Sequence, residues 1–327
     1  MHPPTVEDVA RVAGVSRQTV SNVLNAPQRV RPETRERVEA AIAKLGYRPN
    51  RMAQSLQAAT SRMIGYRIKP ADPHGLSSIH DRLLHAMSEA GRAADHHMLL
   101  FTANDEDEVA NVQALHRAGA IDGVVLYGIG IDDPRPPALR RLRIPFAAFG
   151  RTGVDSDHPW VDIDNAAGTA AAVEHLVELG HRRIAFVSGT VGAAVADRCA
   201  EGWRTALDKH GLLDGSHGLN LRGEDTIATG ERFGDALLDH ADPPTAVVGA
   251  NDTLAIGVLR AARRRGARLA VVGFDDTPAA VAMDLSSVRQ PIEAVGHAII
   301  RALLNEGGPT GLLLNPELVV RASSALP

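Results

Sequence analysis

Cysteine is nearly absent. Cys199 is the only one among 327 residues, which rules out a disulfide within the chain and fits a reducing compartment. Lysine is scarce as well: Lys44, Lys69 and Lys209 stand against a large excess of arginine, a bias that suggests a GC-rich bacterial genome. No stretch is long and apolar enough to span a bilayer, and the opening MHPPTVEDVA lacks the basic start and apolar run of a secretory signal, so a cytoplasmic protein is expected. The usual marks of catalysis are missing too. There is no HExxH and no Cys/His pairing, Gly128-Ile-Gly130 lacks the third glycine of a dinucleotide fingerprint, and no Walker-type loop or Ser/His/Asp ordering occurs. Neither a metal, a cofactor nor an enzymatic reaction is expected.

The charge that is present is segregated. Residues 1–60 hold nine Lys or Arg and five Asp or Glu, a net of +4, whereas the whole chain stands at −4, leaving −8 on the remainder. A basic N-terminal segment on an acidic body points to a nucleic-acid partner for the segment alone. The length allows two or three domains with well-buried cores.

The stretch Thr5 to Asn25, TVEDVARVAGVSRQTVSNVLN, organises that basic segment. Val6, Val9, Ala10 and Ala13 recur at helical spacing behind a Thr5/Asp8 cap, and Gly14 ends the pattern. Ser16 caps a second helix whose Val20, Val23 and Leu24 face inward, while Arg17, Gln18, Ser21, Asn22 and Asn25 share the opposite face. Two short helices joined by a tight turn form a helix-turn-helix. Arginine pairs with guanine O6 and N7, glutamine or asparagine pairs with adenine, and small hydroxyls suit phosphates, so the second helix is equipped for a major groove. An ordinary helical hairpin with a solvated polar face is the alternative from these residues alone.

The residues that follow decide between the two. With RVRPETRERVEAAIAKLGYRPN and RMAQSL after it, the run Thr5 to Leu56 resembles the headpiece of the LacI/GalR family of transcription regulators. Val38, Ala41, Ile42 and Leu45 supply a third helix closed by Gly46; Arg31 stands where the family often has a capping serine, and is expected to touch phosphate instead. The resemblance implies a DNA-binding set of Thr5, Ser16, Arg17, Gln18, Thr19, Ser21, Asn22, Asn25 and Arg29, followed by a hinge with Asn50, Ala53 and Leu56. It also implies that the hinge folds when two copies meet on DNA and that Leu56 wedges into the minor groove, kinking a deformable central step.

From Arg62 the texture alternates between strand-like and helical runs. Strands are expected at Met63–Ile68, His97–Phe101, Gly123–Tyr127, Pro145–Phe149, Arg183–Val187, Ala246–Gly249 and Ala270–Phe274, an alternation that argues parallel sheets covered by helices. The fold class expected is a small all-α headpiece plus a periplasmic-binding-protein-like α/β body of two doubly wound lobes. By the resemblance the domains are a headpiece (1–48), a hinge (49–61) and an effector-binding and dimerisation body (62–327). The N-lobe spans about 62–160 and 290–316 and the C-lobe about 161–289 and 317–327, with crossings near Trp160–Asp162, Ser287–Gln290 and Pro316–Leu318.

The body resembles the family in IDNAAGTAAAVEHLVELGHRRIAFVSG (163–189), in the element Arg198 to Trp203, and in TAVVGANDTLAIGVLRA (245–261), VVGFDD (271–276) and VRQPIEAVGHAII (288–300). Asn251 and Asp275 lie just past strand ends, where open α/β sheets bind ligands. Arg198 offers a planar fork of donors, and Trp160 or Phe274 offers a face for a sugar ring. Read singly, Asn251 with Asp252 starts a helix, Asp275 with Asp276 caps a turn and Trp160 packs a lobe junction; their convergence on one cleft favours a ligand. Two departures stand out. Arg198 precedes Gly202 by four residues where the family usually has three, leaving Cys199 at that place, and the connection Arg265 to Ala270 is short. Arg151, where some members have an acid, becomes a further effector candidate.

The resemblance implies a repressor that acts as a homodimer on a palindromic operator and is released when a sugar effector binds between the lobes. A corepressor-type response to a purine or other metabolite is the alternative. A plain sugar-binding protein without a DNA function is the rival class, and a carbohydrate-active enzyme lacks a locatable pair of carboxylates.

Overall fold

Thr5 opens helix α1 (Val6–Ala13) with a reciprocal cap. Its hydroxyl accepts the Asp8 N–H at 3.3 Å, and the Asp8 carboxylate accepts the Thr5 N–H at 2.9 Å. Gly14, at φ +64°, ends the helix in the left-handed conformation that glycine adopts without strain. Ser16 then caps α2 (Arg17–Asn25) by accepting the Thr19 N–H at 3.1 Å. Helix α3 (Pro32–Leu45) starts without a side-chain cap at Arg31, with Pro32 in the first turn, and ends at Gly46. Val9, Val20 and Val38, one from each helix, are fully buried and form the centre of a small core.

The structure, a computed structural model, describes residues 4–47, 60–68, 78–153, 156–305, 307–308 and 310–325. Asn50, Ala53 and Leu56, with most of the expected hinge, lie outside the described residues. The chain divides into two units, Met1–Ser61 and Arg62–Pro327.

The second unit holds two six-stranded sheets. In the first, β1 (Met63–Ile68), β2 (His97–Thr102), β3 (Gly123–Tyr127), β4 (Phe146–Phe149), β5 (Trp160–Ile163) and β11 (Gly311–Leu314) run parallel in the order β11-β5-β4-β3-β1-β2. Four helices cover it: α4 (Ser78–Ala93), α5 (Glu108–Arg117), α6 (Arg135–Arg141) and α12 (Ile292–Leu303). The second sheet has the order β12-β10-β9-β8-β6-β7, built from β6 (Ile184–Ser188), β7 (Asn220–Arg222), β8 (Ala246–Gly249), β9 (Ala270–Phe274), β10 (Ser286–Arg289) and β12 (Glu317–Val319). Only β12 is antiparallel to its neighbour among the described strands of this sheet. Helices α7 (Asn165–Glu178), α8 (Ala194–Lys209), α9 (Ile227–Leu238), α10 (Asp252–Arg264) and the short α11 (Pro278–Ala282) complete this lobe.

Strands buried on both faces explain the continuous apolar runs: β6 reads IAFVS and β9 AVVGF, every residue buried. The chain crosses between lobes three times, at Asp164 after β5, at Gln290–Pro291 after β10, and at Asn315–Pro316 between β11 and β12. The first crossing falls later than Trp160–Asp162, because Val161 and Ile163 are held in the first lobe's core and β5 pairs with β11 along its whole length. Among the described residues no helix is long and apolar enough to cross a membrane.

Candidate functional site

Two surfaces gather the residues singled out from the sequence. On the headpiece, Arg17, Gln18 and Asn22 are exposed on one side of α2, with the Gln18 amide donating to Asn22 Oδ1 at 3.1 Å. Arg17 meets Glu7 at 3.4 Å; both side chains are two-thirds exposed, so solvent screens the pair and the guanidinium is available to a stronger acceptor. Thr5 and Ser16 serve as helix caps, and the Ser16 hydroxyl also bonds that of Thr19 at 2.9 Å. A capped N-terminus directs backbone N–H groups outward, where a phosphate binds well. Arg29 is exposed in the turn after α2.

In the body, the carboxyl ends of both sheets' strands enclose a cavity of about 650 Å3. Strand ends of the first lobe bring Tyr127, Phe149 and Asp162 to its wall, and those of the second bring Asp225, Asn251 and Asp275. Arg198, on α8, reaches the same wall, and Gln290 lies at the second crossing.

Asp162 and Arg198 join the lobes. The Arg198 Nη1 donates to Asp162 Oδ2 at 2.6 Å, its Nη2 donates to the Arg151 carbonyl at 3.1 Å, and the Arg151 Nε lies 3.2 Å from the same Asp162 oxygen. Burial pushes the Asp162 carboxyl up, and the two guanidiniums pull it back. Asp275 is half-buried and sits at φ +109°. Its carboxylate accepts the Gln290 amide at 2.5 Å, and burial together with Asp252 and Asp225 raises its pKa well above the usual carboxylate range. Asn251 does two jobs: Oδ1 accepts the Leu254 N–H at 2.9 Å, capping α10, and the side chain also bonds Asp225, whose carboxyl burial raises. Behind this wall Asp252 accepts the Ser287 hydroxyl at 2.6 Å and the Thr277 N–H at 2.7 Å, and burial pushes its carboxyl up to about 6. It fits there because position 273 is glycine: a Cβ would stand 2.3 Å from Asp252 Oδ1.

The sequence expectations for this site need four corrections. Phe274 is 1% exposed and belongs to the second lobe's core, so it offers no face to a ligand. Trp160 is off the cavity wall; its ring packs on Gly311 and on the first lobe's core, and carries the Arg151 guanidinium 5.6 Å from its centroid. The aromatic wall is instead Tyr127 and Phe149, in edge contact at 5.7 Å; burial pushes the Tyr127 phenol up to about 12. Arg151 stands behind Asp162 and Arg198 rather than on the wall. Asp276 caps nothing: Arg289 and Arg321 clamp it at 2.7 and 2.6 Å, and Thr277 caps α11 in its place.

Arg198, by contrast, reaches the cavity despite its spacing. Cys199 turns fully into the core, its thiol pushed up to about 12 by burial, while Gly202 lies so close to Ala166 that a Cβ would stand 2.1 Å from that carbonyl. Residues four apart share a helix face, so the close approach at Gly202 carries Arg198 towards the first lobe. Sequence reasoning missed Asp162, Asp225, Gln290, Tyr127 and Phe149. A lone carboxylate between the buried Val161 and Ile163 was the signal for Asp162.

Residues 5–50 match the lacI family of bacterial regulatory proteins, and residues 173–324 match a periplasmic binding protein-like domain. The HTH-type transcriptional regulator AglR of Rhizobium meliloti is 33% identical over 98% of this chain and 94% of its own length. Among solved structures, a complex of the transcriptional regulator CelR with cellobiose is similar at 32% identity and a TM-score of 0.72, covering 98% of this chain and 100% of that one. The lac repressor dimer bound to operator and the anti-inducer ONPF is similar at 27% identity and a TM-score of 0.86, covering 99% and 100%.

Proposed function

As a member of the LacI family of bacterial regulatory proteins the chain is a DNA-binding transcriptional regulator, and we propose that it is a repressor released from its operator when a neutral sugar fills the cleft. The observation that carries the sugar reading is the makeup of the wall. Asp162, Asp225 and Asp275 offer acceptors for pairs of hydroxyls, Asn251 and Gln290 offer both donors and acceptors, and Tyr127 and Phe149 supply apolar faces. Among the described lining residues the one arginine, Arg198, already has a carboxylate partner, so an anionic ligand finds no unpaired cation on the wall. At about 30 Å3 per water the cavity has room for about twenty water-sized groups, nearer to a disaccharide than to one hexose ring. The relative solved with cellobiose supports the same ligand class.

On DNA, Arg17, Gln18, Asn22 and Asn25 read base edges, while Thr5, Ser16, Thr19, Ser21 and Arg29 hold phosphates. Asn50, Ala53 and Leu56 form the hinge contact. One helix-turn-helix makes few base contacts, so a homodimer reads a palindrome with half-sites about one turn apart, in the cytoplasm where the operator is. The lac repressor, solved as a dimer on its operator, supports this arrangement. The carboxylates of the cleft act as sugar ligands, and no catalytic role is assigned to them; the relatives are regulators.

The two sites are linked by free energy. A sugar that bridges Asp162 and Arg198 to Asp275 and Asn251 changes how the lobes are held, and operator affinity falls by a coupling typically of about 1–3 kcal/mol. Selection of duplexes from a random pool by the full chain tests the DNA half: an enriched palindrome is expected, and a pool that stays random contradicts the reading. Enrichment only in the presence of a purine or another metabolite marks a corepressor instead.

A further inference from the structure

The first lobe has two opposite ends. The carboxyl ends of its parallel strands line the cleft; the amino ends form an edge where α4, α5 and α6 finish and where Arg62 leads into β1. Among the described residues, Asp95, Asp122 and Asp157 of this edge are occupied within the lobe. Asp95 pairs with Arg62, Asp157 pairs with Arg140, and Asp122 accepts the Arg62 backbone N–H at 2.7 Å and faces His96 at 3.9 Å. Glu89 lies one turn before Arg92 on α4 and tempers its charge. On the face covered by α5 and α6 three arginines remain: Arg117 at the end of α5, Arg141 at the end of α6 and Arg143 in the turn into β4; Arg301, at the end of α12 on the other face, donates to the Gly307 carbonyl. All three are exposed, and among the described residues none of them forms an ion pair.

Their order on the sheet places them together. β4 and β3 are neighbours and β1 follows, so the three arginines stand in the adjacent segments that lead into β3 and β4, on the edge where Arg62 leads into β1. The helix dipole favours Arg117 and Arg141 at helix ends, but Arg143 lies beyond α6, where that effect fades. A row of unpaired arginines on a body that is otherwise acidic fits a polyanion. Guanidinium forks bind phosphate oxygens, and no existing ion pair has to break to free them.

We propose that this edge is a second DNA-contacting surface, one that takes phosphates of the duplex without reading bases. The inference rests on the regulator reading, in which the chain binds duplex DNA. Contacts to phosphate carry no sequence information, so they strengthen binding to every duplex alike and steepen its salt dependence.

The test compares the full chain with the triple variant R117E/R141E/R143E and with its milder counterpart R117Q/R141Q/R143Q. Two probes are used, a duplex selected by the full chain and the same duplex with its sequence scrambled. Each is titrated by fluorescence anisotropy at several salt concentrations, with thermal melting as the control for folding. The Glu variant is expected to lose about tenfold in affinity for both duplexes, and the slope of log affinity against log salt is expected to fall by about 2–3. The Gln variant is expected to lose less, with the ratio between the two duplexes unchanged. Affinity and slope that stay as in the unsubstituted chain overturn the inference, as does a loss confined to the selected duplex. An unsubstituted chain that does not prefer the selected duplex overturns the regulator reading, and the scrambled duplex still decides the present inference.

Discussion

Arg198 and Asp162 meet across the cleft at 2.6 Å, one on a helix of the second lobe and the other on a strand of the first. Both line the cavity, so a ligand that enters competes for the atoms that hold the lobes together. Substituting Arg198→Met removes two hydrogen bonds of a charged donor. Effector affinity is expected to fall by about 10- to 100-fold, from roughly 1.5–3 kcal/mol per charged bond. Titration calorimetry on the variant checks this; an unaltered effector affinity rules out Arg198 as a ligand contact.

The Gln290 amide holds the half-buried Asp275 carboxylate at the cavity wall, where the proposed effector would meet it. In Asp275→Asn one acceptor pair for hydroxyls is lost. The expected outcome is a chain that binds its operator and no longer releases it at effector concentrations that free the unsubstituted protein. Release at the original concentration contradicts the assignment.

The base-reading role of α2 predicts a loss that depends on sequence. Arg17→Ala is expected to cost about 1–3 kcal/mol on the selected duplex and much less on a scrambled one. Equal losses on both would place Arg17 on phosphate instead.

Arg135 fastens the cavity loop after β3. Its guanidinium donates to Glu108 at 2.9 Å, to Asp133 at 2.7 Å, and to the carbonyls of Tyr127 and Gly128 at 3.2 and 3.0 Å, while Glu108 also meets Arg67 at 3.1 Å. Breaking a buried network from one side costs about 3–5 kcal/mol. Arg135→Met is expected to lower the melting temperature by about 10 °C. Lysine, lacking the planar fork, restores little of this. A melting curve within a degree or two of the parent's rules out this role.

Stability near Asp252 depends on pH, and the sign follows from burial. Its folded value of about 6 lies above the ordinary carboxylate value, so between about pH 4 and 6 the folded chain keeps a proton that the unfolded chain has released. Stability from this group is therefore lost as pH rises through that window, on the order of 1–3 kcal/mol. Asp225, Asp275 and Asp162 shift the same way, whereas Asp276, Asp133 and Glu293 are lowered and act oppositely, so the variant is compared with its parent. Between pH 4.5 and 6.5, urea unfolding is expected to show the parent losing about that much more stability, or gaining that much less, than Asp252→Asn. Identical pH slopes contradict it.

The headpiece was legible because its signals are local: the Thr5/Asp8 cap, Gly14, Ser16 and the buried valines all act within a few residues of one another. The cleft was legible where a strand end alone marks a residue, as at Asn251 and Asp275. Asp162, Asp225 and Gln290 were not, because their meeting depends on the order of strands in two sheets and on where the chain crosses between them. Phe274 shows the limit most clearly. Successive strand residues point to opposite faces, so the last residue of β9 enters the core while the next, Asp275, reaches the cavity. Asp105 and Glu108 bind Arg67, a partner some forty residues away that spacing does not reveal. The five strands absent from the expected set are short: β7 and β12 have three residues each and β5, β10 and β11 four, too few for a period to show.

Control of DNA binding by a neutral sugar in the cleft can be measured in solution. Its most direct test is the anisotropy of a labelled, selected duplex bound to the full chain, titrated with a panel of neutral mono- and disaccharides and their phosphorylated counterparts. One neutral sugar, nearer in size to a disaccharide, is expected to release the duplex, and the anionic forms are expected to leave it bound. A duplex that stays bound throughout, or one released only by an anionic sugar, contradicts it.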